Sequence, residues 1–129
     1  MLKDSQAFSG FAVKDLDAAK AFYGGTLGQD VRDGQMGIME IHLAGGATVM
    51  VYPKPDHVPA TYTILNFPVA DIDAAVDKLS SAGVKMEQYG RDDLPQDGKG
   101  IARDPNGPAI AWFKDPSGNI LSVLTTPPD

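Results

Sequence analysis

A thirteen-residue stretch occurs twice in this chain, and the repeat limits the fold more than any other feature. Phe11-Ala-Val-Lys-Asp15-Leu-Asp17-Ala-Ala-Lys-Ala-Phe-Tyr23 returns as Phe67-Pro-Val-Ala-Asp71-Ile-Asp73-Ala-Ala-Val-Asp-Lys-Leu79. The offset is 56 residues without a gap, and 6 of 13 positions are identical. Each copy runs an apolar strand into an aspartate able to cap a helix, and an amphipathic helix follows. A pattern repeated this way predicts two similar halves of one fold.

The elements around each copy agree. Residues 7–13 alternate as a strand, Asp15 opens a helix striped by Leu16, Ala19, Phe22 and Tyr23, and Gly24-Gly25 and Gly28 end it. Residues 29–34 read as a polar edge strand, and 37–43 and 47–52 as a hairpin turning at Gly45-Gly46. Three prolines between Pro53 and Pro59 interrupt the pattern. In the second half, strands are predicted over 61–69, 84–89, 109–113 and 119–124, with the helix from Asp71 to Gly83. A long Asp/Gly/Pro-rich loop, 91–108, carries a short strand at 100–103. The expected class is α+β: a single domain, 1–129, made of a first βαβββ module (1–53), a Pro-rich linker (54–60) and a second βαβββ module (61–129). A helix covers only one face of such a sheet, so the other face must find cover or a ligand.

Composition narrows the function. The formal net charge of −6 opposes binding to nucleic acid or an anionic membrane, and is compatible with a cationic ligand or with solubility alone. With no cysteine, disulfides and thiolate chemistry are excluded. No apolar run reaches membrane-spanning length and no signal core is visible, so a cytoplasmic protein is expected.

Two βαβββ modules, each opening into Asp-Leu/Ile-Asp-Ala-Ala, resemble the vicinal oxygen chelate superfamily of glyoxalase I, extradiol dioxygenases, fosfomycin-resistance enzymes and bleomycin-resistance proteins. Phe22-Tyr23 with Leu27-Gly28 is similar to the family's first helix and its exit, and Asp115-Pro-Ser-Gly-Asn-Ile-Leu to its final turn. The resemblance implies curved mixed sheets around a shared cleft. It also implies four metal-ligand positions, which fall here on Phe8, Met50, Ile64 and Ser122. None is a good donor for a divalent metal, so neither metal nor other cofactor is expected.

Period-two alternation gives the remaining cleft side chains, and the candidate ligand-binding set is Phe8, Glu40, His42, Met50, Tyr52, Tyr62, Ile64, Asn66, Trp112 and Ser122. Such an apolar, aromatic trough either receives an organic molecule or is filled by its own side chains. Glu40 and His42 are either an acid–base or weak metal-binding pair, or a wet polar strand face. His57, in the linker, is expected to be exposed. The expected function is metal-free binding of a small hydrophobic or aromatic molecule, cationic or neutral, by a homodimer. The alternative is a lyase or dioxygenase-type enzyme with a rearranged metal site. No catalytic residue is assigned.

Overall fold

Both aspartates of the repeat cap helices, with nearly the same geometry. In the computed structural model, which describes residues 1–125, Asp15 and Asp71 have extended backbones and accept the N–H groups of Ala18 and Ala74, each at 3.1 Å. Helix α1, Leu16–Lys20, follows the first cap and α2, Ile72–Ser81, the second. Asp17 and Asp73 lie in the first turns, where a negative charge suits the helix dipole. Residues 126–129, the end of the predicted second module, lie outside the described residues.

The chain divides into two compact units, Met1–Pro59 and Ala60–Asp129. In the first, strands β1 (Ser9–Val13), β2 (Asp30–Asp33), β3 (Met39–His42) and β4 (Thr48–Pro53) form a mixed sheet in the order β1-β4-β3-β2. The β1–β4 pair is parallel and the others antiparallel. The polar strand β2 takes the edge, as its sequence suggests. The core of this unit is Val13, Ala19, Tyr23, Met39, Ile41, Val49 and Val51, all buried. Alternate residues of β3 and β4 thus enter the core, each large aliphatic one stabilising the unit by ~1.5–3 kcal/mol. The first helix is not one regular helix. After α1 the chain widens into a π-helical turn, Ala21–Thr26, in which the Leu27 N–H donates to the Phe22 carbonyl at 2.9 Å. The turn contains Gly24-Gly25 and holds Tyr23 fully buried against the rings of Phe11 and Phe22.

In the second unit, β5 (Thr63–Pro68), β6 (Ile110–Lys114) and β7 (Ile120–Leu124) form a mixed sheet in the order β5-β7-β6. Ile72 and Val76 of α2 are buried with Ala111, Phe113, Leu121 and Val123. The turn from β6 to β7 is pinned by Asp115, whose carboxylate accepts the N–H groups of Ser117 and Asn119 and the Asn119 side-chain amide at 2.8–2.9 Å.

Two predicted strands are reduced to isolated bridges among the described residues. Segment 84–89 makes a single bridge, Met86 with Phe113, and so extends β6 at one point only. The reason lies in Gln96. Its amide donates to the carbonyls of Glu87 and Gly100 and accepts the Tyr89 N–H, at 2.8–2.9 Å. One side chain therefore takes hydrogen bonds that a neighbouring strand would supply. The strand predicted at 100–103 is likewise a bridge, Ala102 with Ile110. Ion pairs tie this loop to α2: the Arg103 Nη2 donates to both carboxylate oxygens of Asp73 at 2.9 Å, and Lys99 reaches Asp77 at 2.9 Å.

Candidate functional site

Each unit leaves one sheet face uncovered by its own helix, and the pairing register fixes what that face carries. In the first unit Gly10, Met50, Glu40 and Arg32 are successive partners across β1, β4, β3 and β2. In the second, Asn66, Ser122 and Trp112 are partners across β5, β7 and β6. The two rows are equivalent: Asn66 stands 56 residues after Gly10, as the repeat requires, and Trp112 takes the place of Glu40.

The first row is polar and open. The His42 Nε2 lies 2.9 Å from a Glu40 carboxylate oxygen, with the two side chains 30% and 40% exposed. Opposite them on β2, Asp30 and Arg32 form a bidentate pair at 2.8–3.1 Å. Hydrogen bonding to Arg32 holds the Asp30 carboxyl below its usual range, with His42 a lesser cause. Sequence reasoning missed Asp30 and Arg32 because it treats β2 as a featureless edge. Pairing β2 against β3 would have found them. Tyr52 follows Met50 on β4 and is 40% exposed. Phe8 lies just before β1 and is 66% exposed.

The second row is aromatic and interlocked. Ser122 is fully buried, and its hydroxyl donates to the Asn66 amide oxygen at 2.5 Å. The half-buried Trp112 donates its indole N–H to the Thr63 hydroxyl at 3.2 Å. The Tyr89 ring stands edge-on to it, with centroids 5.6 Å apart. Burial, then the Glu87 carboxylate, push the Tyr89 phenol above its ordinary range, so it stays a hydrogen-bond donor.

The register of β5 departs from simple alternation. Thr63 pairs with Ile120 and Leu65 with Leu121, so Ile64 is the extra residue of a bulge. The bulge breaks the phase that groups Tyr62 with Ile64 and Asn66, and it brings Thr63 to the indole instead. Tyr62 lies outside the strand and is 69% exposed. Neither Thr63 nor Tyr89 is visible to period-two reasoning. His57, expected to be exposed, is half-buried, and its Nε2 is enclosed with no hydrogen-bond partner among the described residues.

The repeated sheet-and-helix module places the chain in the vicinal oxygen chelate class of folds. Residues 7–123 match the sequence profile of the Glyoxalase/Bleomycin resistance protein/Dioxygenase superfamily, and the chain belongs to it. Similar solved structures include a glyoxalase family protein from Enterococcus faecalis, with 20% identity, 96% of this chain and 99% of that chain covered, and a TM-score of 0.68. An antibiotic binding protein from Streptomyces sp. CB03234 has 21% identity, coverage of 96% and 98%, and a TM-score of 0.69. A genomically encoded fosfomycin resistance protein from Listeria monocytogenes has 13% identity, coverage of 96% and 94%, and a TM-score of 0.72. At these identities the likeness is one of fold. No curated protein sequence matches the chain.

The resemblance puts the superfamily's four metal-ligand positions on Phe8, Met50, Ile64 and Ser122. Phe8 and Ile64 carry no donor atom, Met50 offers a thioether, and the Ser122 hydroxyl is buried and engaged with Asn66. Among the described residues no three His, Cys, Asp or Glu side chains are grouped so as to hold a metal ion. Phe8, Met50, Ile64 and Ser122 therefore do not fit a divalent metal ion. No helix among the described residues is long and apolar enough to cross a membrane.

Proposed function

We propose that this protein binds a small aromatic or hydrophobic molecule, favouring a cation, without a metal, on the sheet faces that its helices leave free. The observation that carries this reading is Trp112. Thr63 fixes its indole N–H and Tyr89 abuts its ring, yet the side chain stays only half-buried. A rigid, partly exposed indole binds planar ligands at little entropic cost. In the same unit exposed Tyr62 adds aromatic surface, the first unit separately exposes Phe8 and Tyr52, and the net charge of −6 favours a cation. The likeness to an antibiotic binding protein agrees with the same reading.

Trp112 is the sole tryptophan, so its emission reports occupancy. Proflavine, a planar cation, is expected to quench it to saturation, with the melting temperature rising in parallel. Trp112→Ala should weaken binding by ~1–3 kcal/mol while circular dichroism stays unchanged. Emission indifferent to every molecule that raises the melting temperature would refute the reading.

A second reading, a lyase or dioxygenase-type enzyme with a rearranged metal site, has one observation in its favour, the contact between Glu40 and His42. Stoichiometric Zn, Ni, Mn or Fe in the purified protein would establish it over the first.

A further inference from the structure

The long loop of the second unit borders a half-open cavity that the sheet-face reading does not use. A cavity of about 390 Å³ lies between loop residues 93–108 and Ile110, the first residue of β6. Its wall is largely apolar, with Leu94, Pro95, Pro108 and Ile110 among the lining residues. The floor is fixed, because Ala102 and Ile110 exchange backbone hydrogen bonds at 2.8 and 3.0 Å. Prolines restrict the rim's backbone, so the cavity is held open before any ligand arrives. This size and lining suit a small organic molecule.

Three charged side chains also line the cavity, and their pairing decides what charge a ligand would meet. Asp93 is neutralised by a bidentate Arg91 at 2.6–2.9 Å. Arg103 is turned to Asp73, whose two carboxylate oxygens its Nη2 contacts at 2.9 Å, with Asp97 at 3.6 Å. Asp104 differs. It accepts the backbone N–H of Asn106 at 2.9 Å, and no Lys, Arg or His pairs with it among the described residues. The cavity therefore presents apolar walls and one uncompensated carboxylate.

We propose that this cavity binds small amphipathic amines, with the apolar group against Leu94, Pro95, Pro108 and Ile110 and the ammonium on the Asp104 carboxylate. A neutral alcohol of the same shape would gain only the wall contacts, and a carboxylate would be repelled by Asp104. The proposal goes beyond the sheet-face reading and does not depend on it.

The test is a titration of isotope-labelled protein with benzylamine at pH 7, followed by amide chemical shifts, with benzyl alcohol and benzoate as comparisons. Benzylamine is expected to give saturable shifts centred on Leu94, Ala102 and Ile110, with benzyl alcohol about tenfold weaker and benzoate weaker still. Asp104→Asn keeps an acceptor for the Asn106 N–H and should reduce benzylamine affinity about tenfold, leaving benzyl alcohol unchanged. Trp112→Ala, which damages the sheet-face site, should leave these shifts intact. The proposal is overturned by shifts that do not saturate or lie elsewhere, by equal affinity for amine and alcohol, or by an Asp104→Asn variant that binds benzylamine as well as the parent. Loss of the shifts in Trp112→Ala, with that variant still folded, would likewise overturn it by assigning the ligand to the sheet face.

Discussion

Ser122 occupies the place where metal-dependent relatives carry a glutamate ligand, according to the resemblance, and its burial says what restoring that residue would do. The side chain has no exposed surface and lies in the central strand, with Asn66 and Trp112 as its cross-strand partners. Ser122→Glu would put a longer, ionised group where a hydroxyl is already satisfied. We expect a loss of about 3 kcal/mol or more by urea unfolding, with no recovery on adding Zn or Mn. A variant as stable as the parent, or one rescued by metal, would show that the row opens more readily than its packing implies. Glu40 holds the place equivalent to Trp112, so the same sheet position carries a carboxylate in one unit and an indole in the other. This divergence is readable from the repeat. The bond from Trp112 to Thr63 is not, because it depends on a bulge that no alternation pattern contains.

At the scale of elements, the Asp-capped helices, the hairpins and the edge position of β2 are all legible in the sequence, since each follows from local chemistry: a capping carboxylate, paired glycines, a polar run. What stays hidden depends on partners distant in sequence. Segment 84–89 has a strand-like sequence, yet Gln96 takes its hydrogen bonds. The 91–108 segment reads as a long loop with a short strand at 100–103, and nothing in its pattern shows that Ile101 and Ala102 are buried or that Arg103 and Lys99 clamp it to α2. That clamp is exposed and should respond to salt and acid. The Arg103 guanidinium holds the Asp73 carboxyl below its usual range. A depressed folded-state pKa contributes stability above the unfolded carboxyl range, near pH 4, that is lost as pH falls through the folded value. Amide exchange in residues 97–103 should accordingly quicken, relative to the intrinsic rate, in high salt, below about pH 4 and in Arg103→Ala, while β7 stays protected. Exchange that quickens equally in both would mean that the loop opens only with the whole unit.

For the whole molecule, two expectations follow from the free faces and the missing donors. Chelation by EDTA, or addition of Zn, Mn or Ni, should leave the melting temperature and proflavine binding unchanged; loss of either property would mean that a metal is held by residues other than Phe8, Met50, Ile64 and Ser122. Leu2, Phe8, Tyr52 and Tyr62 are exposed apolar or aromatic side chains, and we propose that self-association covers them. Light scattering at micromolar concentration should give twice the 13.7 kDa chain mass, and a value near 13.7 kDa would count against the homodimer. The Gln96 side chain has a consequence for how the second unit moves. A ladder of strand hydrogen bonds works as a zip, opening tooth by tooth only when a whole strand departs. A single amide is a latch: rotation about its own side-chain bonds breaks its bonds to Glu87, Tyr89 and Gly100 together, while the Glu87 N–H stays on the Trp112 carbonyl at 2.8 Å. Residues 88–100 are therefore free to open on the nanosecond-to-microsecond scale of loop motions while the three-stranded sheet stays paired.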